Sequence, residues 1–292
     1  MTGGLWAAAS GVGFGLFQAL NRRALGGIDD AYVSTFLQVL VGTLVLVAAS
    51  AATEDLGQLA DATAWSLIAF ALAGLLHFLL GWTFLNLSQK RIGAARTSPL
   101  LTTTPIFGLV ISAVTLGQLP GSAALGGIAL AVLGAYVLSR GDQELSIRPR
   151  DAVFALGCSL MWALSPILTI EGLEVLDSPL LGVTVGMMAA TVAYGALIQA
   201  RTARMALRDI ARGALAFKLA AGVLVALATW TRWLALDFTA VAVVLALNSL
   251  SVPVALIATP LVVGRHVERV TRSVWLGSAL VVSGSLILIL VA

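Results

Sequence analysis

The stretch Ala94–Leu116, AARTSPLLTTTPIFGLVISAVTL, decides how this chain is read. It is apolar enough for a bilayer. Its first half nevertheless carries Arg96, Ser98, Thr102, Thr103 and Thr104, together with Pro99 and Pro105. Each proline removes a backbone donor and frees a carbonyl one turn back. In hydrocarbon such a group has to be met by protein, or by water in a cavity. The expectation is a bent membrane helix that faces something polar. A shift of 148 residues carries Pro105 onto Pro253, inside Ala242–Val263, AVVLALNSLSVPVALIATPLVV, where Asn248, Ser249 and Ser251 sit mid-helix and Pro260 follows. Matched interruptions in the two halves of a chain are the sequence pattern of a transporter's substrate site.

Outward from that pair, the rest of the chain reads as membrane protein. Of 292 residues, 59% are hydrophobic and 11% charged, with a mean hydropathy of +1.00. A soluble domain carries about 25% charged residues. Ten apolar segments of spanning length follow one another: about 3–21, 32–52, 65–87, 94–116, 122–139, 151–170, 179–200, 213–236, 240–263 and 273–291. The links between them leave no room for a soluble domain. The start MTGGLW has no basic leader, so the first span is expected to stay in the protein. Cys158, the single cysteine, is expected to be a buried small residue with no disulfide.

The halves read as repeats, 1–140 and 151–292, joined by the polar linker Arg140–Arg150. At the 148-residue shift Phe14 falls on Trp162, Trp82 on Trp230 and Ala94 on Ala242, and the spacing Gly127/Gly134 recurs as Gly277/Gly284. Five spans is an odd number, so the second half enters the membrane from the opposite side. The charges agree. Links after spans 1, 3, 5, 7 and 9 hold 15 of the 17 Lys and Arg residues, leaving Lys218 just inside span 8 and Arg232 near its far end. The opposite links carry Glu54, Asp55, Asp61, Glu171, Glu174 and Asp177. Basic links are cytoplasmic by the positive-inside rule. Both termini are then expected outside a cytoplasmic membrane.

This layout, with the run Arg91–Arg96 through Pro105, Leu116-Gly117-Gln118, and Thr239–Ala242 through Pro253 to Gly264, resembles the EamA branch of the drug/metabolite transporter superfamily. The aromatic-small pairs Phe14-Gly15 and Trp162-Ala163 add to the likeness. Family members carry Gly-Glu where this chain has Gly117-Gln118 and Gly264-Arg265, and begin with a basic tail on a cytoplasmic N-terminus. The resemblance implies an all-α membrane protein of ten transmembrane helices in two inverted repeats. It implies alternating-access transport of a small metabolite such as an amino acid, an organic acid or an amphipathic drug-like molecule, with no cofactor, no bound metal and no enzymatic activity. The partners expected are the small-molecule substrate and the lipid bilayer, with a proton as candidate coupling ion through His77 and no nucleic acid.

Several residues are read as lining the substrate site. His77 lies near the middle of span 3, where an ionisable group marks function, and its titration range suits proton coupling; the plainer reading is a neutral histidine bonded to a neighbouring helix. Arg232 can pair a carboxylate or phosphate bidentately, or can snorkel to the interface and pair with Asp237. At the repeat shift, the face of His77, Gly81 and Phe84 becomes that of Val225, Thr229 and Arg232, so one cavity is expected to serve both ionisable groups. Gln18 shares a face with Phe14 and Asn21. Trp82, Trp162 and Trp230 bring aromatic surface. Thr102, Thr103, Asn248 and Ser251 flank the two interruptions, although Ser and Thr also bond their own helix. Gly11/Gly15 and Gly182/Gly186 read as close-packing pairs. An intramembrane enzyme would need a nucleophile–base pair or paired acids at membrane depth, and no span carries an acid at its centre. A passive channel suits two halves around one polar pocket less well than alternating access does.

Overall fold

The computed structural model describes residues 2–25, 27–28, 30–92, 97, 100–140, 149–200, 212–263 and 272–291. Arg96, Ser98 and Pro99 of the deciding stretch, Arg148, Arg201, Arg204, Arg208, Gly264, Arg265 and Arg269 lie outside the described residues, as does Ala292. The described chain is helical. In order it runs α1 (Thr2–Leu25), α2 (Ala31–Thr53), the single turn α3 (Gln58–Asp61), α4 (Ala64–Gly74), a π-turn (Leu75–Gly81), α5 (Trp82–Ile92), α6 (Thr104–Thr115), α7 (Ser122–Arg140), α8 (Pro149–Leu173), α9 (Pro179–Ala200), α10 (Arg212–Phe238), α11 (Val241–Leu247), a 3₁₀ turn (Asn248–Leu250), α12 (Ser251–Val263) and α13 (Arg272–Val291).

Six stretches among the described residues are long and apolar enough to cross a membrane: Tyr32–Thr53, Ala64–Ser88, Ala152–Leu173, Pro179–Ala200, Arg212–Phe238 and Val241–Val262. Three shorter apolar helices, Thr104–Thr115, Ser122–Val137 and Trp275–Val291, accompany them. Helix α1 is 24 residues long, but Gly3, Gly4, Gly11, Gly13, Gln18, Asn21, Arg22 and Arg23 dilute its hydropathy. The outside is as apolar as the inside: Val114 is 81% exposed and Leu261 76%. That surface fits hydrocarbon.

Local chemistry sets the ends. Asp30 Oδ1 accepts from the amides of Tyr32 (2.7 Å) and Val33 (3.3 Å) and starts α2. Ser178 Oγ accepts from Leu181 N and donates to Glu54, which ties the start of α9 to the end of α2. Helix α6 stops at Gly117, whose φ of 65° is one that glycine adopts freely. The next residue, Gln118, reaches across and accepts from Val241 N at 3.1 Å, meeting one of the orphan amides that begin α11.

Both expected interruptions are present. In the first half the chain turns at Thr102–Thr103 before α6. There Thr103 and Thr104 donate to the carbonyls of Leu100 (2.6 Å) and Leu101 (2.8 Å). In the second half the break is the 3₁₀ turn Asn248–Leu250. Repeat-shifted, Thr102–Thr103 falls on Leu250–Ser251.

Packing runs between the halves rather than within them. Helix α1 lies on α10 and α12; α8 lies on α4, α5 and α6; α2 meets α9; α7 meets α13. At the 148-residue shift these contacts map onto one another: α1 on α10 and α12 onto α8 on span 3 and α6, while α2 on α9 and α7 on α13 map onto themselves. Thr43 Oγ1 and Thr191 Oγ1, 148 residues apart, hydrogen bond to each other at 2.7 Å. A Cβ on Gly74 would come within 2.0 Å of Gly186 O, and one on Gly222 within 3.2 Å of Gln38 O, the repeat-related contact. Gly134 lies against Gly277 O and Gly284 against Gly127 O. Gly11 and Gly15 admit the second break: a Cβ there would meet Leu247 O and Ser251 O at 2.7 Å. Gly182 and Gly186 receive Phe70. The free thiol of Cys158 is buried.

Candidate functional site

Span 3 does not run straight through as α-helix. At Leu75–Gly81 it widens into a π-turn, a distortion that accompanies functional sites. Side chains from the second half hold it open. Trp162 Nε1 of α8 donates to His77 O at 3.2 Å. Tyr194 of α9 turns its hydroxyl to the carbonyls of Phe78 (3.3 Å) and Leu79 (3.4 Å). Gly81 makes room for the indole, because a Cβ there would lie 2.4 Å from Trp162 Nε1.

The π-turn presents His77 to three neighbours. Its ring stacks on Trp162 at 5.5 Å and meets Phe78 edge-on at 4.9 Å. Its Nδ1 lies 3.2 Å from Arg232 Nη2 of α10 and 3.3 Å from Ser165 Oγ of α8. A guanidinium only donates, so Nδ1 accepts and the ring proton sits on Nε2. Arg232 also lies 5.9 Å over the Phe14 ring of α1, and its Nε has no acceptor among the described residues. Arg232 is 4% exposed and His77 3%. This corrects the snorkelling alternative: Arg232 turns inward to His77, not outward to Asp237. Sequence reasoning put the two ionisable groups on equivalent faces; the structure puts them in contact.

Ser165 and His77 stand at the spacing of a nucleophile–base pair. The other group on the imidazole is a guanidinium, however, which opposes the positive charge that a base takes on when it accepts the hydroxyl proton. The cluster is built to hold a cation, not to activate a hydroxyl.

The remaining expected residues are spread around this centre. Trp82 is buried under it, stacked on Phe17 at 5.8 Å and edge-on to Phe78 at 5.9 Å. Trp230 is half-buried against the same apolar core. Gln18 is exposed on α1, about 140° round the helix from the apolar stripe of Leu5, Val12 and Leu16. Thr102 and Thr103 sit at the first break, where Ser159 Oγ of α8 donates to Leu100 O at 3.3 Å. Asn248 and Ser251 sit at the second, against α1, and Asn248 Oδ1 is buried with no partner among the described residues. Above Arg232 a cleft of about 200 Å³ opens between α8 and α10, lined by Ile170, Leu173, Glu174, Leu236 and Asp237.

Sequence reasoning missed Ser165 and Tyr194, which carry no signal beyond lying in apolar helices. It also missed a second polar knot. Lys218 of α10, placed by the sequence just inside span 8 but given no role there, is buried and donates to Asn21 Oδ1 of α1 and Gln38 Oε1 of α2. Its position six residues inside an apolar span was the signal.

The comparisons with known proteins bear on what such a core serves. No curated protein matches the sequence significantly. One solved crystal structure, of a protein 18% identical, covers 96% of this chain and 94% of its own with a TM-score of 0.75, which speaks for the fold alone. Residues 1–140 match the model of the EamA-like transporter family. That family is one of multi-span membrane transporters of small molecules rather than enzymes. Residues 1–140 are therefore a domain of the EamA-like transporter family, in the drug/metabolite transporter superfamily.

Proposed function

We propose that the protein is a secondary transporter that carries a small metabolite across the cytoplasmic membrane by alternating access. In this reading ten spans form two inverted five-helix repeats, 1–140 and 151–292, with both termini outside. The exchange symmetry of the helix contacts and the Thr43–Thr191 bond on its axis support the repeat. The cargo site lies between the halves, around His77, Trp162 and Arg232, with Gln18, Trp82, Trp230 and the two interruptions (Thr102, Thr103, Asn248, Ser251) at its margins. The observation that carries the reading is that the buried His77–Arg232 contact is assembled from both halves, so any rocking of one half against the other remakes it. The proton is the coupling ion and His77 its carrier. A proton on Nδ1 removes the acceptor that holds Arg232 and sets two cations 3.2 Å apart, which frees the guanidinium.

The test is uptake into proteoliposomes, with and without a pH gradient, of compounds first selected because they raise the melting temperature of the purified protein. Trp162→Ala is expected to abolish uptake. His77→Gln keeps hydrogen-bonding capacity and removes titration, so it is expected to abolish the response to the gradient while binding persists. Uptake unchanged by both substitutions would refute the site.

A further inference from the structure

Lys218 is the second buried cation of α10, and the site around His77 does not use it. Its ammonium reaches Asn21 Oδ1 at 2.5 Å and Gln38 Oε1 at 2.7 Å, with the residue 1% exposed. Among the described residues neither Lys218 nor Arg232 meets a carboxylate. The first is held by two amide oxygens, the second by an imidazole nitrogen and a phenyl ring. Each place also holds one buried donor with no acceptor among the described residues: Gln38 Nε2 beside Lys218, and Nε of Arg232 itself. The unmet groups at both places are donors, each next to a positive charge. A negatively charged oxygen satisfies both needs at once.

The fold itself does not call for either charge. At the repeat shift Lys218 falls on Phe70 and Arg232 on Phe84. Phe70 is fully buried against Trp233 at 5.6 Å, and Phe84 meets Phe154 edge-on at 6.1 Å. An aromatic ring serves the packing in one half where the other half places a cation. A buried cation without a countercharge is costly. Both occur on α10, fourteen residues apart, about 21 Å along the axis and within about 40° of one stripe.

We propose that Lys218, with Asn21 and Gln38, is an anion-binding station at the basic end of α10, that Arg232 is its counterpart toward the acidic end, and that the cargo carries a carboxylate- or phosphate-type group received by each in turn. This deepens the transporter reading and rests on it.

The probes are sodium succinate and inorganic phosphate, added at constant ionic strength to the purified full-length protein in an uncharged detergent. The readout is the melting temperature, with chloride as reference. Either probe is expected to raise it saturably. Lys218→Gln keeps a polar side chain and removes the charge, so at least tenfold more probe should be needed for the same shift. Gln38→Glu sets a carboxylate beside Lys218; it should raise the melting temperature without probe and, like Lys218→Gln, demand at least tenfold more probe for the same shift. If Lys218→Gln does not fold, Gln38→Glu decides alone. A wild-type response in both variants overturns the station. So does stabilisation by phosphatidylglycerol with no effect of either soluble probe, because the site then belongs to a lipid headgroup. Stabilisation by neutral or cationic compounds only, lost in Trp162→Ala, overturns the anion inference while the transporter reading stands. No response to any compound sinks both.

Discussion

His77 and Arg232 form one energetic unit, and a double-mutant cycle measures it. His77→Phe keeps an aromatic ring against Trp162 and removes the acceptor from a guanidinium that is 4% exposed. Leaving a buried charge without its partner costs about 3–5 kcal/mol. Arg232→Met removes the charge, keeps much of the volume, and leaves His77 Nδ1 with the Ser165 hydroxyl at 3.3 Å. Losing one of two hydrogen bonds there costs about 1 kcal/mol. In the Arg232→Met background, His77→Phe strands nothing charged and costs about 1 kcal/mol again. The double mutant is therefore expected to be about 2–4 kcal/mol more stable than the sum of the singles. His77→Gln, which still presents an acceptor oxygen, should cost about 1 kcal/mol. The assay is equilibrium unfolding of the purified protein from micelles by increasing SDS fraction. Additivity within about 0.5 kcal/mol would refute the argument, since it would mean that the guanidinium finds its partner elsewhere or reaches water.

Three further outcomes follow from the packing and the charges. A reporter active only in the cytoplasm, fused after Ala292, should stay silent; a strong signal would reverse the proposed orientation. Gly134→Ala puts a Cβ 2.6 Å from Val281 N and 2.7 Å from Gly277 O, so it should destabilise by about 1–3 kcal/mol. Gly126→Ala, next to Gly127 in sequence but with nothing within 4 Å of its Cβ position, should be neutral or stabilise by up to about 1 kcal/mol.

The parts of the fold that could be read in advance are those that hydrocarbon enforces. Spans had to be apolar and long, so Pro179–Ala200 was legible to the residue. The two breaks were legible because proline and hydroxyl residues in a bilayer need a local solution, and Thr103 and Thr104 supply it by bonding carbonyls one turn back. Helix contacts were legible only where small residues recur at fixed spacing, as at Gly127/Gly134 and Gly277/Gly284. The π-turn was not. Nothing in LLHFLLG differs from α-helix; the widening depends on donors from Trp162 and Tyr194, more than eighty residues away. Tertiary contact, not local sequence, decides it.

The candidate site was partly legible for a different reason, which the repeat itself explains. On the proposed reading of two inverted repeats, halves that pack by exchange must match wherever packing is the only demand, and the chain does so at Thr43/Thr191 and at the paired glycines. The halves part company at His77/Val225, Arg232/Phe84 and Lys218/Phe70. In each of these pairs one member is apolar and packed, with Val225 and Phe70 buried and Phe84 half-buried against Phe154, and the other is ionisable and buried with polar partners. Since the apolar member shows what the fold alone requires, the ionisable member marks what the fold does not require. His77 and Arg232 were visible as charges in the wrong place. Lys218 was hidden because it lies near a basic link, where positive charge is ordinary; its burial sets it apart from Arg22, Arg23, Arg91, Arg212 and Arg272, which are exposed.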